Sequence, residues 1–166
     1  MIREVSKEDT TGIASIYNYY VAHTPVTFEE EPVSPAQFAQ RIQAVLDNGL
    51  PWLVSTENQA ITGYAYATPF KPRSAYRFSV ESTIYIAPHS QGKGLGTALY
   101  EALLQKLHQA GIRNVIGCIT LPNPASVALH EKINMQKVGH FPAVGFKFGQ
   151  WLDVGFWQVQ LSPESD

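Results

Sequence analysis

The 166-residue chain holds one cysteine, Cys118. A lone thiol forms no internal disulfide and supplies no Cys-rich metal site, so no metal is expected and a reducing, cytoplasmic setting fits. No apolar run approaches the ~18 residues of a membrane span, and MIREVSKEDT lacks the apolar centre of a signal peptide. Charge of one sign is also scarce: 12 Lys and Arg against 14 Asp and Glu give a net charge of −2, with the basic residues scattered. That leaves no electrostatic footprint for nucleic acid or an anionic membrane, and directs attention to small molecules or protein termini. Repeats, low-complexity tracts and Gly/Ser/Pro-rich linkers are missing too. Residues 1–161 therefore read as one domain, able to bury about 70% of its unfolded surface, with 162–166, SPESD, as a loose tail.

What is present is a regular alternation of apolar patterns. Ile2 to Val5 reads as a strand, and Ser6 with Asp9 three residues later signals a helix start. Ile13, Ile16, Tyr17, Tyr20 and Val21 then recur at helical spacing. A second helix begins at Ser34, with Pro35 in its first position and Gln37 closing a capping box; Phe38, Ile42, Val45 and Leu46 form its expected buried face. Trp52 to Thr56 and Ala60 to Ala67 read as a hairpin about ENQ. After the loop PFKPRSAYR come a strand from Phe78 to Ile86, a helix from the glycine stretch to about His108 ended by Gly111, and a strand from Asn114 to Ile119. A short helix from Asn123 to about Asn134 and strands at Met135 to Val138 and Trp151 to Leu161 close the chain. The order β-α-α-β-β-β-α-β-α-β-β implies an α/β or α+β fold, a mixed sheet covered by helices.

The stretch HSQGKGLGTALYEALLQKL, residues 89–107, concentrates glycine where a helix begins. A dinucleotide fingerprint starting at Gly92 and Gly94 needs glycine at 97, where Thr97 stands, and Lys93 is misplaced for a nucleotide-binding Walker loop. What remains is a strand, a turn and a helix N-terminus whose N–H groups face an anion, with glycine permitting close approach. A flexible strand-to-helix turn is the plainer alternative.

Gln91-Gly92-Lys93-Gly94-Leu95-Gly96 resembles the acetyl-CoA pyrophosphate loop of the GNAT superfamily of N-acetyltransferases. VESTIYI, LPNPASVALHE and WLDVGFWQ further resemble its phosphinothricin and methionine sulfoximine N-acetyltransferase branch. The resemblance implies a mainly antiparallel central sheet with helices on both faces, and acetyl-CoA as co-substrate without a metal. It assigns the pyrophosphate to N–H groups from Gly92 to Thr97, and pairs the pantetheine amides with Ile84, Tyr85 and Ile86 as if adding a strand. Asn123 and Ser126 resemble coenzyme contacts and share a helix face with His130. By themselves the two residues equally suit a plain N-cap and a first-turn polar position.

Attack on a thioester needs an unprotonated amine, and the resemblance makes Glu81 the base, acting directly or through a water. Alternation puts Glu81 and Tyr85 on one strand face, opposite Ile84 and Ile86, where a solvated carboxylate without function is the plain alternative. His130 resembles a catalytic or substrate-contacting histidine able to protonate the departing thiolate. Cys118 reads as a small hydrophobe of a buried strand, so direct attack is favoured over an acyl-enzyme. Lys71, Arg73 and Tyr76 match positions around the acidic substrate, where an Arg fork suits a carboxylate. Phe28, Tyr85, Thr120 and Val154 are the remaining expected acceptor contacts. Glu29, Thr120, Leu152 and the INM of 133–135 depart from the branch pattern and make methionine sulfoximine, methionine sulfone or another amino acid as suitable an acceptor as phosphinothricin. A protein N-terminus, an aminoglycoside and a non-catalytic acyl-CoA sensor are the competing functions, although Lys71 and Arg73 would repel an aminoglycoside. The resemblance also implies a homodimer, with Phe146, Phe156 and Trp157 as candidate contacts.

Overall fold

The computed structural model describes residues 1–162; positions 163–166 of the expected tail lie outside the described residues. Seven strands and four helices follow the expected order: β1 (Ile2–Glu4), α1 (Thr10–His23), α2 (Pro35–Asp47), β2 (Trp52–Glu57), β3 (Ala60–Pro69), β4 (Ser79–Ile86), α3 (Leu95–Gln109), β5 (Asn114–Leu121), α4 (Pro124–Lys132), β6 (Gln136–Lys147) and β7 (Gln150–Gln160). Ser162 is not loose, since its carbonyl lies 2.5 Å from His108 Nε2.

Local chemistry sets these boundaries. The Ser34 hydroxyl accepts from the Gln37 N–H at 3.2 Å while Gln37 Oε1 accepts from the Ser34 N–H at 2.8 Å, the reciprocal cap that starts α2. Asp9, 5% exposed, accepts from both terminal nitrogens of Arg3 at 2.8 Å and ties β1 to the start of α1. Asn58 and Gln59 both adopt positive φ, making the β2–β3 connection a tight two-residue turn. Leu46 corrects the expected α2 face, being 43% exposed. Phe38, Ile42 and Val45 make the buried stripe, and the next residue is turned about 100° away from it.

β6 is the larger correction, running to Lys147 rather than stopping at Val138. Its register against β7 shifts at Lys137/Gly139 and again at Phe141/Gly145, so alternation is broken in the sequence although the backbone stays extended. Pro142 is tolerated because β6 is an edge strand.

The seven strands form one sheet ordered β1-β2-β3-β4-β5-β7-β6, antiparallel throughout except at β4–β5. One face carries α1 and α2, where Tyr17 packs edge-on against Phe38 and Tyr85, and Phe38 reaches Trp52 and Tyr64. The other carries α3, with Leu99, Tyr100, Leu103 and Leu107 fully buried. Helices thus cover both faces. β4 pairs with β3 out to Ile86, but with β5 only from Ser79 to Ser82. Beyond Ser82 and Gly117 the two strands part, β4 staying with β3 and β5 with β7, and the sheet opens into a cleft.

Candidate active site

The gap holds a cleft of about 800 Å³, within the usual size of a small-molecule site. Its first wall is β4. The Asn114 N–H donates to the Phe78 carbonyl on the β5 side, and the Ala87 N–H donates to Thr62 on the β3 side. Alternation between these two bonds turns the peptide groups of Ser82, Ile84 and Ile86 to the β5 side; Ser82 still pairs with Gly117, whereas Ile84 and Ile86 face the gap, where β5 no longer meets them. The Ile86 carbonyl is taken by the Tyr20 hydroxyl at 2.5 Å, which itself accepts from Gln91 Nε2 at 2.8 Å. An extended ligand bearing amides therefore finds an open strand edge at Ile84, held in place by α1.

The second wall is the glycine turn. Gly92 and Gly94 have φ of +76° and +75°, and a Cβ at either would meet nothing within 4 Å. Glycine is required there by backbone conformation, and the space over the turn is open. Gly94 is the N-cap of α3, and Gln91, Gly92, Gly94, Leu95, Gly96 and Thr97 line the cleft, so the helix N-terminus faces it. Lys93 is exposed and does not line it. Ser90 Oγ, in a residue 1% exposed on the cleft wall, has no hydrogen-bond partner among the described residues. An open strand edge, a glycine cradle at a helix N-terminus and an orphaned hydroxyl fit the amides and pyrophosphate of acetyl-CoA.

The third wall is α4. Asn123 Oδ1 accepts from the Ser126 N–H at 3.2 Å, so its capping role is realised while its amide nitrogen stays free to contact a ligand. His130, 3% exposed, has Nδ1 2.7 Å from the Ser126 carbonyl, which fixes the proton on that nitrogen. Nε2 then accepts from the Tyr100 hydroxyl at 3.1 Å, and Tyr100 lies 2.5 Å from Ser82 Oγ. Burial pushes the imidazole below its ordinary pKa, so the ring is neutral near pH 7. Gly117 makes room for it, since a Cβ there would lie 2.6 Å from His130 Cδ2 and Nε2.

Glu81 lies on the α1/α2 face with Tyr85, as alternation predicts, but that face is covered rather than solvated. Its carboxyl is half-buried in the cleft, without a hydrogen bond or ion pair among the described residues. Burial holds its pKa above the ordinary carboxylate value with no cation to oppose it. Cys118 corrects its expected burial: the residue is exposed on the cleft wall, although the protein packed around its sulfur, together with the Glu81 charge, still pushes the thiol pKa up to about 11. A thiol so held is un-ionised and a poor nucleophile.

The acceptor end brings together Phe28, Tyr85, Thr120 and Val154, with Thr120 opposite Val154 across β5 and β7. Lys71, Arg73 and Tyr76 are exposed and do not line the cleft; Lys71 Nζ sits 5.6 Å from the Tyr76 ring centroid. Glu29 is also absent from the lining, its Oε1 being 2.7 Å from Arg41. The residues that sequence reasoning missed are Tyr20, Ser82 and Tyr100. Each sat in an apolar pattern, and the available signal was chemical: a buried hydroxyl needs a partner.

These features define an acyl-transfer enzyme, and the chain belongs to the GNAT acetyltransferases: the family model described as acetyltransferase (GNAT) domain matches residues 2–155. The chain is 39% identical over 157 residues to phosphinothricin N-acetyltransferase of Streptomyces viridochromogenes, covering 95% of this chain and 85% of that protein. It is 36% identical over 160 residues to L-methionine sulfoximine/L-methionine sulfone acetyltransferase of Salmonella typhimurium, covering 96% and 94%. The crystal structure of a GNAT superfamily phosphinothricin acetyltransferase from Sinorhizobium meliloti in complex with acetyl-CoA matches with a TM-score of 0.94 at 39% identity, over 97% of this chain and 88% of that one.

Proposed function

We propose that the protein transfers the acetyl group of acetyl-CoA to the amino group of a small amino acid or amino-acid analogue of the phosphinothricin, methionine sulfoximine or methionine sulfone type. The carrying observation is a half-buried carboxyl, Glu81, with no partner among the described residues and a raised pKa, in the same cleft as an open strand edge and a glycine cradle. Bound acetyl-CoA supplies a thioester carbonyl for attack. Glu81 takes a proton from the acceptor ammonium, directly or through one water, leaving the amine lone pair free. An N–H of β4 that faces the gap is available to the thioester oxygen as charge develops there.

His130 takes a different role from the expected acid. Its one N–H is committed to Ser126 and its Nε2 is an acceptor, so it has no proton to give a departing thiolate. A thiol of pKa near 8.5 leaves at neutral pH without an obligatory acid. His130 instead fixes Tyr100 and the cleft-facing side of α4, with Asn123 and Ser126 as coenzyme contacts.

Lys71 and Arg73 are the proposed partners of the acceptor carboxylate. Their loop leaves the sheet just past Thr68, which pairs with Glu81, and so begins beside the base. Glu29, neutralised by Arg41, does not oppose an anionic acceptor. Residues 1–161 act as one acetyltransferase unit, and the free Cys118 thiol supports a reducing, cytoplasmic setting. The unit works as a homodimer through the exposed aromatics Phe146 and Trp151, whose rings lie 5.0 Å apart. Trp157 is withdrawn from that interface because it is 2% exposed and packed on the core.

The test is release of the CoA thiol from acetyl-CoA over a panel of α-amino acids and their sulfoximine, sulfone and phosphinate analogues. Turnover with at least one is expected, and none with any α-amino acid would overturn the assignment.

A further inference from the structure

Lys147 is a lysine with 1% exposure at the end of β6, just before β7 and 120 residues from Thr27, which it meets. Its Nζ donates to the carbonyls of Val21 at 2.9 Å, Thr24 at 2.9 Å and Thr27 at 2.8 Å. An ammonium has three donors and no acceptor, so this site satisfies it completely. The Val21 carbonyl lies in the last turn of α1, where carbonyls lack helical partners and the helix favours a cation. Thr24 and Thr27 lie on the reversal that follows. Burial lowers the Lys147 pKa, and the carboxylates of Glu29 and Glu30 oppose that shift.

The reversal leads directly into the cleft, because Val26 and Phe28 both line it. Two residues before Lys147, Gly145 meets the same segment: a Cβ there would come within van der Waals exclusion of the Phe28 ring at Cζ and Cε2. Gly145 and Lys147 thus act on one loop, the first leaving space for the ring and the second gripping the backbone around it. We propose that Lys147 is a positioning residue that clamps residues 21–28 onto the β6–β7 hairpin and so sets the Phe28 wall of the acceptor site. The β4 edge and the glycine turn are tied to α1 one residue before the clamp, through the Tyr20 hydroxyl on Ile86 and Gln91, but none of the three Lys147 bonds reaches either of them, so the clamp acts first on the acceptor end. The assignment of that end to an acceptor rests on the proposed acetyl transfer.

Lys147→Met removes the three donors while keeping an unbranched side chain. The expected result is a rise of at least fivefold in acceptor KM, with acetyl-CoA affinity by calorimetry unchanged within twofold. Amide hydrogen exchange at Val26 to Glu29 should quicken at least tenfold, while residues 91–97 keep their rates. Lys147→Arg, which keeps the charge, should restore half or more of the exchange protection. Should Lys147→Met fail to fold, Gly145→Ala, which displaces Phe28 and leaves the ammonium in place, is expected to give the same acceptor-only change. Unchanged exchange at 26–29, or acetyl-CoA affinity falling in parallel with acceptor KM, overturns the clamp. If the wild-type protein turns over no acceptor, the functional assignment falls, and exchange with acetyl-CoA affinity still decides the clamp.

Discussion

The Tyr100 hydroxyl donates to His130 Nε2 at 3.1 Å, and this bond joins α3 to α4 across the floor of the cleft. Because Nδ1 is committed to the Ser126 carbonyl, both ring nitrogens are satisfied only when the imidazole is neutral. A histidine with a lowered folded pKa binds fewer protons folded than unfolded. Its share of stability is therefore present above the unfolded value near 6.5 and is lost as pH falls through the folded value.

Tyr100→Phe removes the donor and leaves Nε2 buried without a partner. A loss of about 1–3 kcal/mol in unfolding free energy is expected by denaturant titration. Imidazole NMR should show the Nδ1-protonated neutral ring of the wild type at pH 7. In the variant the His130 pKa should move upward, since the bond that favoured the neutral form is gone. An unchanged His130 titration would contradict the Nδ1-protonated tautomer.

Gly94→Ala tests the glycine cradle. A positive φ of 75° costs an L-residue about 1–2 kcal/mol, and the open space beside Gly94 means that no clash adds to it. The variant should stay folded with a modest drop in melting temperature, while acetyl-CoA affinity by calorimetry falls at least tenfold as the α3 N-terminus shifts. Equal affinity in variant and wild type would show that the turn does not hold the pyrophosphate.

Much of this architecture was legible because each element carries its own signal. Ser34 and Gln37 mark the start of α2, Gly111 marks the end of α3, and alternation places Glu81 with Tyr85. What was hidden depended on distant pairings. The parting of β4 from β5 after Ser82 follows from registers with two other strands, and no local pattern encodes it. Cys118 looked buried because its neighbours Val115 and Ile119 are, yet the gap beside β5 uncovers it. Lys147 carries no local sign of burial, since its three acceptors lie 120 to 126 residues away.

Trp151, 68% exposed, and Phe146, 54% exposed, make an apolar pair on the outer hairpin. Trp151→Ser with Phe146→Ser should convert a dimer to a monomer in sedimentation equilibrium, with the circular dichroism spectrum unchanged. A wild-type protein that is already monomeric at tens of micromolar would remove the proposed interface.

Glu81→Gln separates catalysis from stability. The carboxyl has a raised folded pKa, so the folded state binds more protons than the unfolded chain and stability is lost as pH rises through the folded value. Above that value ionisation in the cleft costs stability, and the amide variant escapes the cost. It should therefore melt at a higher temperature than wild type at pH 7 and lose the advantage near pH 4. Turnover should fall about 10²- to 10⁴-fold, the usual worth of a positioned base, while acetyl-CoA affinity is retained. The wild-type kcat/KM should also drop on acidification through a group titrating above the ordinary carboxylate range, and that limb should vanish in the variant. Undiminished turnover in Glu81→Gln would place the base elsewhere and leave Glu81 as a carboxylate buried at a cost without a function.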